Sequence, residues 1–181
     1  MKSSATKMTY DLYRLLPDDG KRYELIDGEL LMVPAPSPQH QDIVGRLFSQ
    51  LLVHVEANRL GKVFISPIDV LFEEHLVLQP DIIFVSRERQ EIIGEEAIHG
   101  APDLAIEILS PSSFYHDLRR KMRLYSHSSV QEYWIVDPEK QTIDLYARAG
   151  DELQLTRQFA SHELFESPLL PGFRLAVNSI F

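Results

Sequence analysis

Pro80-Asp81-Ile82-Ile83-Phe84-Val85 and Pro102-Asp103-Leu104-Ala105-Ile106-Glu107-Ile108-Leu109-Ser110 are two apolar runs interrupted by acids; Asp117 to Tyr125 follows them as a helix-like segment with Lys121 in its middle. An acid or a lysine inside an apolar pattern is unfavourable unless it is paired or bound to a cation. The first run reads as a central strand buried on both faces, opened either by a pocket acid or by a solvated turn residue, Asp81. In the second run side chains alternate, so Glu107 shares a face with Asp103, Ala105 and Leu109. On a central strand that face buries a carboxylate, which then takes up a proton or finds a cation. On an edge strand it faces water.

A helical wheel at ~100° per residue, with Phe114 at zero, places Tyr125, Leu118 and Met122 at about 20°, 40° and 80°. Lys121 falls at about 340°, inside that apolar arc, whereas Arg119, Arg120 and Arg123 lie between about 140° and 240°. Of these four cations, Lys121 alone is expected to face the sheet. It either pairs with Asp117 one turn earlier, its stem snorkelling, or reaches the carboxylates of the neighbouring strands.

Working outward, Thr9 or Ser4 caps a short helix through Leu16, and Asp27-Gly28 joins Arg22–Ile26 to Glu29–Val33 as a hairpin. Ser37-Pro38 is an N-cap followed by proline at the first helical position. The helix they begin runs to about Asn58, with Ile43, Val44, Leu47, Leu51 and Val55 on one face and Gly61 as its stop. Strands are expected at 63–65, 69–72, 80–85 and 104–110, with 86–100 a charged connection. Ser112 or Ser113 caps the second helix, to about Ser126, and strands follow at 131–136, 142–147 and 153–159 before a short final strand. The fold class is α+β, of the α/β three-layer type: a mixed central sheet flanked by two main helices, with an N-terminal hairpin and C-terminal strands, in one domain over residues 1–181.

The 181 residues carry a formal net charge of −9 and contain no cysteine. Disulfides, thiolate zinc sites and a cysteine nucleophile are thereby excluded. Residues 1–10 lack the apolar segment of a signal peptide, and no run approaches the ~20 apolar residues that span a bilayer. The expectation is a cytoplasmic protein without membrane contact. The acidic balance weighs against indiscriminate nucleic-acid binding; a local basic face of Arg119, Arg120, Lys121 and Arg123, with His116 and His127, is compatible with it.

Two carboxylates on adjacent strands beside an ammonium suit divalent-cation chemistry. Mg²⁺ (or Mn²⁺) takes oxygen ligands and keeps waters, so Asp81 and Glu107 suffice as metal ligands. The cation activates water and offsets phosphoryl charge, and Lys121 orients the water or stabilises that charge. Asp81, Glu107 and Lys121 are the candidate catalytic residues. Accessory candidates are Glu24, either a third acid at the rim or a hairpin charge; His40, either a core histidine or a pocket residue; and Asp117. Asp103 reads as a turn residue, His54 and His75 as background, and Trp134 as core.

Over nearly the whole chain these pieces resemble the PD-(D/E)XK nuclease superfamily, and within it the Uma-two family of restriction-endonuclease-like proteins. The resemblance rests on Tyr23-Glu24-Leu25-Ile26-Asp27-Gly28-Glu29-Leu30, Ser37-Pro38-Gln39-His40, Gln79-Pro80-Asp81, the run 102–112, the Asp117/Lys121/Tyr125 spacing and Glu132-Tyr133-Trp134-Ile135-Val136-Asp137. It implies a restriction-endonuclease-like core of helix, three strands, helix and strand, and a metal-dependent endonuclease acting on DNA. The superfamily motif asks for lysine two residues after the glutamate, where this chain has Leu109, so the resemblance implies a migrated lysine at Lys121. The alternative is a catalytically degenerate nuclease fold that binds nucleic acid or protein. Cutting both strands of a duplex is simplest with two sites, so a homodimer is expected.

Overall fold

The computed structural model describes residues 7–110 and 116–181, with the side chains of 116 and 117 excepted. The proposed caps Ser4, Ser112 and Ser113, the wheel's origin Phe114, and the side chains of His116 and Asp117 lie outside the described residues.

The N-terminal region follows its local signals, except that the first helix ends at Tyr13, short of the expected Leu16. Thr9 caps α1 (Tyr10–Tyr13) by accepting Leu12 N–H. Strands β1 (Arg22–Ile26) and β2 (Glu29–Val33) form an antiparallel hairpin. Its turn residues Asp27 and Gly28 both have positive φ, 56° and 80°, the pattern whose twist matches the flanking strands. Ser37 Oγ accepts His40 N–H at 3.2 Å and Pro38 opens α2 (Pro38–Asn58). The stop of α2 differs from the expectation: Arg59, not Gly61, adopts the left-handed cap, φ 53° and ψ 39°. Gly61 instead begins β3 (Gly61–Ile65), where a Cβ would lie 2.1 Å from Val85 O, so close strand approach requires glycine there.

Two larger sheets follow. The first joins the hairpin to β4 (Val70–Glu73), β5 (Leu76–Leu78) and β7 (Ile98–His99) in the order β2-β1-β5-β4-β7. The second is the mixed central sheet, with β6 (Ile82–Ser86), β8 (Leu104–Ile108), β9 (Glu132–Asp137), β10 (Thr142–Ala149) and β11 (Glu152–Phe159), in the order β11-β10-β9-β8-β6-β3. Strands β8 and β9 are parallel, linked by α3 (His116–His127), while β6 and β8 are antiparallel. A third sheet pairs β12 (Leu164–Glu166) with β13 (Arg174–Ala176). The short strands β5, β7 and β12 were not expected from sequence: two or three residues carry no period. A 3₁₀ turn at Arg87–Ile92 occupies the charged connection.

The central sheet is buried on both faces. Ile82, Phe84, Leu104, Ile106, Ile108, Trp134 and Val136 meet the apolar stripe of α2 and the C-terminal segment. On the opposite face, Ala105, Tyr133 and Ile135 pack with Tyr125 of α3 and with Ile26 and Leu78 of the hairpin sheet. Because β8 is central, most of its second face is covered, and Glu107 sits on that face, partly buried. Among the described residues no helix is long and apolar enough to cross a membrane.

Candidate active site

The last paired residues of β6 and β8 are Ile82 and Ile106. One step further along that antiparallel register, Asp81 and Glu107 come opposite each other and share a face. Asp81 is buried, not the solvated turn residue of the alternative reading. Its Oδ2 accepts the Ile108 N–H at 2.8 Å and lies 3.2 Å from His40 Nε2.

Lys121 comes to this face from α3, as the wheel requires, and is 8% exposed. Its Nζ lies 3.1 Å from Glu107 Oε1 and 3.1 Å from Glu24 Oε1. The edge-strand alternative for Glu107 therefore fails, and the ammonium absent at Leu109 arrives from the helix. Glu24 is buried and also accepts the Gln79 N–H at 3.0 Å, so it belongs to the pocket rather than to the hairpin surface. His40 is buried with its Nε2 on Asp81; among the described residues its Nδ1 has no partner. The accessory residue Asp117 lies on α3, but its side chain is outside the described residues.

Glu24, His40, Asp81, Glu107 and Lys121 line one cavity of about 300 Å³. Leu31 to Pro36 form an apolar wall, and Arg22, Gln79, Ile108 and Ser110 complete the lining. Burial pushes the Glu107 carboxyl up to about 7; Lys121 pulls it down, and the Asp81 and Glu24 carboxylates add to the rise. For His40, burial pulls the ring's pKa down, but the Asp81 hydrogen bond and charge outweigh it and the net direction is up.

Two contributions were not anticipated from sequence. Tyr125 entered as an apolar-face residue of the wheel and as part of the Asp117/Lys121/Tyr125 spacing, with no role of its own. It is fully buried, and its hydroxyl donates to Glu107 Oε1 at 2.8 Å. The available signal was its position four residues after Lys121, on the same face. Gln79 ties the hairpin to the pocket: besides its N–H on Glu24, its Nε2 donates to Asp69 Oδ1 at 2.8 Å, which also takes the Tyr13 hydroxyl.

Asp103 stands in the bend that leads into β8, as expected of a turn residue, and is buried there: its carboxylate accepts Ser86 N–H (2.7 Å) and Arg89 Nη1–H (3.0 Å), anchoring the 3₁₀ turn. The expected basic face is smaller than proposed, because Lys121 is buried and Arg120 turns to Ile26 O and Asp27. Arg119, Arg123 and His127 remain exposed.

The donor set fits a hard divalent cation. Lys121 and Tyr125 both occupy Glu107 Oε1, and His40 and Ile108 both occupy Asp81 Oδ2. The hydrogen bonds seen among the described residues thus fall on one oxygen of each carboxylate, and a cation would be met by the other. Among the described residues no three His, Cys, Asp or Glu side chains form a closed cage. Such a set suits Mg²⁺ or Mn²⁺, which are held by one or two carboxylates plus waters and substrate, better than a four-ligand zinc centre.

Residues 10–178 match the family described as "Uma2: Putative restriction endonuclease". An uncharacterized protein of Synechocystis is 25% identical over 164 residues, spanning 89% of this chain and 84% of its own length. The crystal structure of a "putative nuclease belonging to DUF820" from Anabaena variabilis superposes with a TM-score of 0.80 at 25% identity, covering 96% of this chain and 97% of that one.

Proposed function

The chain belongs to the Uma2 family, and from that membership and the pocket's geometry we propose that it is a metal-dependent endonuclease hydrolysing DNA phosphodiester bonds. The observation that carries the reading is the convergence of Asp81 and Glu107 on adjacent strands with Lys121 Nζ 3.1 Å from Glu107 Oε1, at the wall of a cavity of about 300 Å³. Asp81 and Glu107 hold Mg²⁺ or Mn²⁺, which supplies Lewis-acid stabilisation of phosphoryl charge and water activation.

The chain's own residues set up that chemistry. The Ile108 N–H and His40 fix Asp81 through one oxygen, and Tyr125 and Lys121 fix Glu107 through one oxygen, so both carboxylates are preorganised. The Lys121 ammonium sits where it can orient water or meet charge developing on a phosphoryl oxygen. Glu24 holds the ammonium from the other side, and the apolar wall limits water around the reacting group. We further propose that the site operates in one domain over residues 1–181, in a cytoplasmic homodimer whose two sites cut the two strands of a duplex.

The test is cleavage of plasmid DNA by the purified protein with Mg²⁺ or Mn²⁺, with and without chelator. Nicking or linearisation that chelator abolishes, and that Asp81→Ala and Lys121→Ala each lower by ~10²-fold or more, is the expected outcome. Equal cleavage by Asp81→Ala would reject the site. Absence of cleavage together with calorimetric absence of Mg²⁺ and Mn²⁺ binding would leave a degenerate nuclease fold.

A further inference from the structure

We propose that Arg22 is a substrate-binding residue, taking a nucleic-acid phosphate at the mouth of the Asp81–Glu107 pocket; the inference rests on the nuclease reading above. Strand alternation places Arg22 on the same face of β1 as Glu24, and Glu24 is the residue that reaches Lys121. Arg22 pairs with Val33 across the hairpin, and both residues line the cavity with Pro34.

The charges in this cavity are unevenly used. Lys121 is held between Glu24 and Glu107, and His40 is held by Asp81. Arg22 is the remaining cation of the lining. Its Nε is buried and has no hydrogen-bond partner among the described residues, and no described carboxylate lies within ion-pair distance of it. It does not pair with Glu24, although the two share a strand face. A buried guanidinium N–H without an acceptor is unfavourable, and such a group is satisfied when an anion enters.

The chemistry of the anion follows from the pocket. A guanidinium presents a planar fork of donors that matches the oxygens of a phosphate. Three acids, Glu24, Asp81 and Glu107, surround the position of the scissile group, so a polyanionic substrate needs a cation that these acids do not already neutralise. Arg22 meets that need from the hairpin side. Lys121, fixed by two carboxylates, serves the reacting group instead. Arg22 therefore holds a phosphate flanking the scissile one.

The experiment is fluorescence anisotropy of a short labelled DNA duplex, with Ca²⁺ in place of Mg²⁺ to hold off turnover, across a salt series. Arg22→Ala is expected to weaken binding about tenfold and to reduce the slope of log affinity against log salt by about one. Arg22→Lys restores part of the affinity because the charge returns without the fork. Arg46→Ala, on the outer surface of α2 and paired with Asp42, leaves affinity unchanged. Melting curves are expected to find Arg22→Ala as stable as the parent or more so, which separates lost binding from lost folding. Parent protein that binds with Arg22→Ala identical in affinity and salt slope overturns the role of Arg22 alone. Parent protein that binds no nucleic acid overturns both this inference and the nuclease reading.

Discussion

Glu107, partly buried, and Glu132, buried, are two glutamates on adjacent parallel strands, and they are handled in opposite ways. Burial raises the pKa of each. Glu132 is satisfied on both oxygens by neutral donors: Oε2 accepts Trp134 Nε1–H (2.9 Å) and Ser167 Oγ–H (2.8 Å), and Oε1 accepts Leu169 N–H (2.8 Å). It sits against α2's side of the sheet, among Trp134 and Phe165. Among the described residues Glu107 is held through one oxygen, by an ammonium and a phenol, and borders a cavity. A buried acid alone is thus no mark of a site. The mark is an acid whose partners leave an oxygen directed to space, with fixed charge beside it. Glu132 is a clasp that holds the returning segment 167–169 to the sheet.

The comparison breaks most directly by the same substitution at both positions. Glu107→Gln is expected to lower cleavage by ~10²–10³-fold with folding preserved, since the amide can still accept from Tyr125. Glu132→Gln turns one acceptor into a donor facing N–H and O–H groups. It should lose about 2–3 kcal/mol of stability while the folded fraction keeps its activity. Urea unfolding and plasmid cleavage on both variants give the check. A stability loss at Glu107 with activity intact, or the converse at Glu132, would erase the distinction.

Sequence reading reached these two acids unequally, for a physical reason. Glu107 stands in the middle of an apolar run, and Lys121 sits off-pattern on an amphipathic helix; both signals are local and periodic. The α2 cap at Ser37, the Asp27-Gly28 turn and the alternating faces of β6 and β8 are local too, and the structure follows them. Glu132 stands near the start of its strand, where no local signal separates a buried acid from a solvated one. Its burial depends on Ser167 and Leu169, thirty-five or more residues on, which no local pattern encodes. Asp103 escaped for the same reason, because Arg89 and the 3₁₀ turn that bury it are not periodic. The division into a hairpin sheet and a central sheet was hidden because β5 and β7 are too short to show a strand pattern.

Metal and pH sharpen the contrast further. Glu107 is raised from its ordinary 4.5 to about 7, so its protonated form stabilises the metal-free fold. That contribution is fully present below about pH 4.5 and is lost as pH rises through about 7, on the order of 1–3 kcal/mol. Metal-free wild type should therefore lose stability between about pH 5 and 8 relative to Glu107→Gln, which has no such proton to lose. Millimolar Mg²⁺ binds the deprotonated carboxylate, so it should raise the melting temperature of wild type more at pH 8 than at pH 5.5. Glu132 is shifted in the same direction but has no open oxygen. Its contribution to the pH slope, read as wild type minus Glu132→Gln, should be the same with and without Mg²⁺. A Mg²⁺ effect on the Glu132 difference, or none on the Glu107 difference, would contradict the assignment.

The smallest expected effect comes from Tyr125, the neutral donor on Glu107. Tyr125→Phe keeps the ring packed between Phe72 and Tyr133 and removes only the O–H. A hydrogen bond to a charged acceptor is worth ~1.5 kcal/mol of stability, so the fold should lose about that much, and activity should fall about tenfold as Glu107 loses one of its anchors. The direction of the accompanying pH effect is fixed. The Tyr125 hydrogen bond lowers the pKa of Glu107, so its removal moves the acid limb of the pH–rate profile to higher pH. A packing defect would lower the rate at all pH values alike. A uniform loss with an unmoved acid limb would therefore assign Tyr125 to the core and leave Lys121 alone to hold Glu107.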